Sequence, residues 1–289
     1  MKRLCALLWV CLLLMGLRAA CAEVFFTQEN PHENWAKSPL LRITMFNAGQ
    51  SDCILLECGG EAMMVDGGTA AYGEALAEAI SQKGIGHFKY LFNTHYPEDH
   101  TGGLCELMAR DFSVGSYLHP YIRTAIYGSP NHKRAMGLVK AKGIPQRQVM
   151  HGETLYLGEA SLHVIRHEEG LSANGRSTVV RVEFGDASAL LTADIIGDTE
   201  TWLLENLPSS MLDADILKAP HHGVSAMTAD FWKAVSPDVL AVNNIRKEAK
   251  EGLRQAEKYG VPALCTGDGR LVLETDGENW RVYHTGDAF

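Results

Sequence analysis

Beyond residue 22 the sequence has no apolar run long enough to cross a bilayer, no low-complexity tract and no internal repeat. It keeps only four cysteines there, and none forms a CxxC pair. A helical membrane span needs about 20 apolar residues, so a multi-span helical membrane protein is excluded. Without CxxC, the common cysteine zinc and thioredoxin-type motifs are excluded as well. GxGxxG and GxxxxGK[ST] loops are missing, which removes support for dinucleotide and nucleoside triphosphate sites. No GxSxG elbow presents a nucleophilic serine. An excess of positive charge is also lacking: the chain carries −9 at pH 7, a mean field that repels nucleic acid and anionic membranes. What remains, 289 residues with 46% hydrophobic and 21% charged, is ordinary globular usage.

The first residues read as a processing segment. Met1-Lys2-Arg3 is a basic start, Leu4 to Leu17 a 14-residue apolar run, and Ala20-Cys21-Ala22 a small-x-small cleavage signature. This is the pattern of a secretory signal peptide over residues 1–22, which makes the mature protein secreted or otherwise extracytoplasmic. Arg18, three residues before Cys21, argues against lipid attachment at that cysteine. Removing Lys2, Arg3 and Arg18 takes the net charge from −9 to −12. Cys53, Cys58, Cys105 and Cys265 remain. Cys53 and Cys58 are five apart on a predicted strand, so they face opposite ways and do not pair with each other. Isolated buried thiols and disulfides both stay open for the four.

Residues 23–40 read as an N-terminal extension, and the remainder, 41–289, as one α/β domain. Short apolar runs at 41–46, 53–57 and 62–65, broken by Asn47-Ala48-Gly49, Gly59-Gly60 and Asp66-Gly67-Gly68, predict consecutive strands. Helical spacing follows at 71–83, ended by Gly84, and then a buried strand at 90–92. Further strands are predicted at 154–157, 161–165, 178–184, 189–191, 216–217, 239–242, 263–264, 270–274 and 280–283, with helices near 199–205 and 228–234. No Pro/Ser-rich linker separates these two strand-rich halves, which suits a single layered domain.

The chemistry concentrates in three clusters, each leaving an apolar strand. Asn93-Thr94-His95-Tyr96-Pro97-Glu98-Asp99-His100-Thr101-Gly102-Gly103 reads as a loop that crowds two histidines and a carboxylate. Leu190-Leu191-Thr192-Ala193-Asp194 ends a strand in a carboxylate, and Lys218-Ala219-Pro220-His221-His222-Gly223 places two histidines after another. Imidazole and carboxylate together suit Zn²⁺, with Mn²⁺ acceptable at oxygen-rich sites. With FNAGQSD (46–52), VDGG (65–68) and NGRSTVV (174–180), these strings resemble, in order and spacing, the metallo-β-lactamase superfamily, and within it the hydrolase-like domain of the ComEC competence proteins. The resemblance runs from about Leu41 to Tyr283 and implies a four-layered αββα sandwich with a metal site along one edge.

Carried over position by position, the resemblance makes His95, Asp99 and His100 the first metal motif. Asp194 becomes the carboxylate shared by two ions, and His221 or His222 the last ligand, with His221 preferred. Asp66 would orient a ligand, and Asn174 and Ser177 occupy the place of a third histidine. Pro97 stands where the superfamily has a ligand, Ala193 where it has glycine, and Asn47 where it has aspartate. A site of His95, Pro97, Asn174 and Asp194 is therefore poor in ligands. One of Asp99, His100, Asp194 and the His221-His222 pair is complete. The expectation is one firmly held divalent ion, zinc ahead of manganese, and a second that is weak or absent.

A metal-activated water, with Asp99 moving its proton, points to a hydrolase. The histidine pattern of true β-lactamases is broken at Pro97 and Asn174. Between Asp111 and Glu153 the chain holds no acid but Arg123, Lys133, Arg134, Lys140, Lys142 and Arg147, interleaved with Tyr117, Tyr121, Tyr127, His119 and His132. A basic aromatic lip at the site entrance, with Lys133 and Arg134 binding anions, would suit a phosphodiester or another anionic small-molecule substrate. The plain reading is a solvated helix whose basic residues pair with acids elsewhere. The competing function is an exported binding protein that kept the fold and lost turnover, with Pro97 as its best support.

Overall fold

A computed structural model describes residues 22–35, 40–120 and 130–289. Residues 1–21, most of the signal segment, lie outside the described residues, as do Tyr121, Arg123 and Tyr127 of the basic stretch. Sixteen described strands form two sheets. The first sheet takes β1 (Val24–Phe25), β2 (Leu41–Met45), β3 (Cys53–Cys58), β4 (Glu61–Gly67), β5 (His87–Phe92), β6 (Ser113–Pro120) and β7 (Gln146–Val149). The second takes β8 (Thr154–Leu157), β9 (Ala160–Arg166), β10 (Thr178–Phe184), β11 (Ala187–Leu191), β12 (Ile216–Lys218), β13 (Val239–Val242) and β14 (Ala263–Cys265). The chain then returns to the first sheet as β15 (Leu271–Thr275) and β16 (Trp280–His284), giving the order β1-β16-β15-β2-β3-β4-β5-β6-β7.

Six described α-helices cover the outer faces: α1 (Gly73–Gln82), α2 (Glu98–Ala109) and α3 (Pro130–Lys142) on the first sheet, α4 (Gly197–Asn206), α5 (Ala229–Val235) and α6 (Lys250–Tyr259) on the second. Each sheet is buried on both faces, which is why its central strands read as unbroken apolar runs. In β3, Ile54, Leu56 and Cys58 enter the core between the sheets, where they join Leu162, Val164, Val180 and Trp280. Cys53 and Leu55 point the other way, against Leu76, Ile80 and Leu104 of the helices. The αββα expectation is met. Cys53 and Cys58 do lie on opposite faces, and all four described cysteines are buried free thiols. None of the described helices is long and apolar enough to cross a membrane.

Residues 23–35, read as an extension, belong to the sheet edge. β1 pairs with β16 in parallel, and the buried Trp35 lies under the Arg281 guanidinium. The sheets are joined by a polar bond as well, since Trp280 Nε1 donates to Asp215 Oδ2 at 3.0 Å.

The segment read as a loop at 94–103 is helical from Glu98. Pro97, with φ −57°, is the N-cap of α2, and its carbonyl accepts from His100 N and Thr101 N at 3.3 and 3.0 Å. Glu98 and Asp99 in the first turn suit the positive end of the helix. Gly102 and Gly103, which argue against a helix by propensity, are required by contact: a Cβ on Gly103 would run into the Gly67 carbonyl, and one on Gly102 into the Ala70 amide. That approach seats Asp99 and His100 over the end of β4. Gly103→Ala is expected to destabilise the protein by about 1–3 kcal/mol, read as a lower urea midpoint. An unchanged midpoint would show that the helix can retreat at no cost.

Candidate metal centre

Five chain segments converge at the ends of strands. Asp52 precedes β3, Asp66 sits in β4, His95 follows β5, Asp194 follows β11, and His221-His222 follow β12, while the start of α2 brings Asp99 and His100. Asp99, His100, Asp194 and His222 place one ligand atom each within 4.8 Å of one another. His222 Nε2 lies 3.3 Å from Asp194 Oδ1 and 3.4 Å from Asp99 Oδ2, and His100 Nε2 lies 3.3 Å from Asp194 Oδ2. The ligand preferred from the sequence, His221, is not the one that completes this group. It stands on the other flank of Asp194, half-buried, with Nε2 3.9 Å from Oδ2 and 3.4 Å from the Asn174 amide. The reason is backbone geometry. Both residues adopt left-handed conformations, φ 47° and 55°, so that consecutive rings leave the chain towards different sides.

Each of the two central histidines has a carboxylate behind it. His100 Nδ1–H donates to Asp66 Oδ2 at 2.8 Å, leaving Nε2 to face the cluster. Asp66 also accepts from Thr94 N, Thr94 Oγ1 and Asn93 Nδ2 at 2.8, 2.5 and 3.1 Å. Its lone pairs are occupied, so it orients a ligand and is not itself one. On the other side Asp52 is an ion-pair neighbour of His222, with Oδ1 3.2 Å from Nδ1 but out of hydrogen-bond geometry. Asp52 was not singled out from the sequence, and neither was Lys218. The Lys218 ammonium is fully buried, 2.6 Å from Asp52 Oδ2 and 3.8 Å from Asp194 Oδ1, and donates to the Ala193 carbonyl at 2.8 Å. In sequence Asp52 closes the polar turn at 47–51, and Lys218 ends an apolar strand, where a free ammonium would be costly to bury.

The electrostatics are those of a cation site. Burial alone would neutralise Asp52, yet Lys218 and His222 hold it well below the usual carboxylate range. Burial also opposes a charge on His222, but Asp194, Asp52 and Asp99 push it up to about 10. His100 rises well above its ordinary value against Asp194 and Asp66 in the same way. His95 goes down to about 3, because burial and the neighbouring His100 both disfavour its charge. Nε2 of His95, His100 and His222 and Oδ1 of Asp194 are all buried without a hydrogen bond. The carboxylates and imidazoles meet at 3.3 Å out of hydrogen-bond geometry, as ligands around an ion do. This donor set of carboxylate oxygens and imidazole nitrogens fits a borderline divalent metal.

Other predicted residues fall nearby with less direct roles. Asn174 and Ser177 form the turn before β10, tied to the His95 loop by Thr178 N donating to Thr94 O at 3.1 Å. The Arg134 guanidinium is taken by Glu106 of α2, so the paired-surface reading holds for it, while Lys133 is exposed. The helix that carries them does reach the site loop: Asn131 Nδ2 donates to Tyr96 O at 3.4 Å, and the His132 ring meets Tyr96 edge-on at 4.5 Å.

A two-sheet sandwich with helices outside and a His/Asp cluster at the strand ends defines a class of metal-dependent proteins. Residues 46–240 match the metallo-beta-lactamase superfamily, and the chain belongs to it. The Competence protein ComA of Neisseria gonorrhoeae is 24% identical over 273 residues, which is 93% of this chain and 34% of that protein. The chain thus spans about a third of the length of the curated relative it matches. Among solved structures, it is similar to the metallo-beta-lactamase fold protein YhfI from Bacillus subtilis, with a TM-score of 0.55 and 14% identity over 82% of this chain and 100% of that one. CmlA, a diiron beta-hydroxylase from Streptomyces venezuelae, is similar with a TM-score of 0.51 and 16% identity, covering 78% of this chain and 52% of its own. At such identities these two share the fold alone.

In the metal-free cluster His100 and His222 carry protons at neutral pH, because their values are raised. Each Nε2 must lose its proton before it can ligate. Zn²⁺ binding at pH 7 is therefore expected to release about two protons per ion, with affinity rising as pH climbs. Calorimetry in buffers of different ionisation enthalpy counts them. A value of zero would mean that both imidazoles are neutral beforehand.

Proposed function

We propose that this chain is an exported metal-dependent hydrolase acting on phosphodiesters or related anionic esters. The observation that carries this reading is the buried Asp99, His100, Asp194 and His222 group, whose inward nitrogens and Asp194 Oδ1 lack hydrogen-bond partners. Those four residues would hold the ion, Zn²⁺ ahead of Mn²⁺ because two of the four donors are imidazole. A divalent ion supplies Lewis acidity at the scissile group and lowers the pKa of water from about 15.7 towards 7.

The chain's own groups do the rest. Asp99 is the outermost of the four, its side chain 30% exposed where His100 and His222 are fully buried. Its carboxylate is held ionised by His222 and His100 against the cost of burial. It can thus take a proton from an attacking water and return it to the leaving oxygen. Asp66 keeps His100 in the tautomer that presents Nε2 inward, Asp52 lies behind His222, and Lys218 keeps Asp52 charged. The preference for an anionic substrate rests on the acid-free stretch from 112 to 152, whose helix starts beside Tyr96, next to His95. Export rests on the basic start, the apolar run to Leu17 and the Ala20-Cys21-Ala22 signature.

Pro97 is compatible with turnover. As the N-cap of α2 it has a structural use, since its fixed φ prepares the first turn that carries Asp99 and His100. Metal content after reconstitution is expected to be near one tightly held ion per chain, lost in Asp194→Ala. Loaded protein should cleave an activated phosphodiester, and Asp99→Asn should lower kcat by about 10²–10⁴-fold. A metal-replete parent inert towards phosphodiester, ester and lactone panels would return the binding-protein reading to first place.

A further inference from the structure

We propose that residues 285–289 act as a clip on the metal centre: Phe289 pins the turn that ends in Asp52, and Asp52 in turn positions His222. The inference rests on the metal-hydrolase reading, because it takes His222 as a ligand, and it adds a positioning residue that is distant in sequence and touches none of the ligands.

Asp52 follows a turn, 47–51, that has no regular structure of its own. Its internal bonds are short-range: Ala48 N donates to Phe46 O at 3.0 Å, Ser51 N to Gly49 O at 3.1 Å, and Ser51 Oγ to Ala48 O at 2.5 Å. Bonds of this kind shape a turn without fixing where it lies, so its place depends on what packs against it. On one side that is the end of β4. Gly68 N donates to Asp52 O at 2.6 Å, and a Cβ on Gly68 would stand 2.9 Å from the Ala48 methyl. On the other side it is the segment 285–289.

These residues leave β16 and fold back over the turn. Thr285 N donates to Arg270 O at 2.9 Å and Arg270 N to Asp287 O at 2.6 Å, while the Asp287 carboxylate lies 3.1 Å from the Arg270 guanidinium. Asn47 N then donates to Ala288 O at 3.0 Å. Phe289 sets its ring nearly parallel to two others, with centroids 5.5 Å from Phe46 and 5.9 Å from Tyr72. Phe46 is fully buried, and its N–H donates to Cys53 O at 3.0 Å, which closes the turn just beyond Asp52. The Tyr72 hydroxyl lies 3.6 Å from where a Cβ on Gly49 would stand. Phe289 therefore bridges a ring at the root of the turn and one that reaches its tip. The consequence falls on Asp52, whose Oδ1 is 3.2 Å from His222 Nδ1 and whose Oδ2 is 2.6 Å from the Lys218 ammonium. A turn that shifts moves the carboxylate behind a ligand, and partners in that position are generally worth about 10–100-fold in metal affinity.

The test is a Zn²⁺ titration of the purified chain against a chromophoric chelator, with amide hydrogen exchange of the metal-free protein read by mass spectrometry. Phe289→Ala should weaken zinc binding by at least about tenfold and speed exchange across 46–52, while α5 and α6 on the other sheet exchange as in the parent. Phe289→Tyr, which keeps the ring, should restore both readings. Tyr72→Leu removes the second stacking partner at a partly exposed position. It should move both readings the same way, and it serves if Phe289→Ala does not fold. Unchanged affinity in the alanine variant, or a loss whose exchange signature is missing from 46–52 or spread through the whole chain, would overturn the proposal and leave the hydrolase reading intact. A parent that binds no zinc would overturn both.

Discussion

Four carboxylates, those of Asp52, Asp66, Asp99 and Asp194, share one small volume at the strand ends, and three of them are almost completely buried. Among the described residues, Lys218 is the one permanent cation buried with them. Moving an ionised carboxylate out of water costs several kcal/mol even after relaxation, so such a group persists only when each charge has a partner. The surrounding structure answers that demand. Asp66 is satisfied by Thr94, Asn93 and His100, Asp52 by Lys218 and His222, and the remaining negative charge is concentrated where a divalent ion would lie. The metal chemistry of the fold is in this sense a solution to a charge-burial problem, with the two sheets supplying its walls.

The same cluster concentrates backbone strain. Among the described residues, five other than glycine have positive φ, and four of them, Asp66, Ala193, His221 and His222, belong to the site. Each costs on the order of 1–3 kcal/mol, and such conformations persist only where surrounding contacts over-determine them. Ala193 shows how. Its φ of 47° is one that glycine takes freely, yet its carbonyl is clamped by both Lys218 Nζ and His221 N. The core between the sheets, filled by residues such as Leu162, Val180 and Trp280, offsets that cost.

Most of the sheet framework was legible because both faces of each central strand are buried, and a buried strand writes itself as an apolar run bounded by turns. Thr154–Leu157, Thr178–Phe184 and Val239–Val242 coincide with the expected bounds. The helix at 98–109 was hidden because Gly102 and Gly103 lower helical propensity, and their real reason, contact with Gly67 and Ala70, is a tertiary fact. In the site, residue types and strand-end placement pointed to His95, Asp99, His100 and Asp194. The choice between His221 and His222 turned on two consecutive left-handed residues, a conformation that side-chain identity does not announce. Asp52 and Lys218 were hidden for a related reason: each looks like a solvated charge until the two sheets close over the pair.

The order of strands in the first sheet also governs how the chain can reach its native state. β2 lies between β3, its neighbour in sequence, and β15, so that Leu41 stands opposite both Cys58 and Thr275. β1, before it, closes on β16. Half of the sheet's pairing around β2 thus waits for a hairpin that follows all of β8 to β14, the strands of the second sheet. Contacts this distant in sequence require large loops to close before they return any stabilisation, which slows folding. A polypeptide of this connectivity completes the pairing of β1 and β2 only when the β15–β16 hairpin docks.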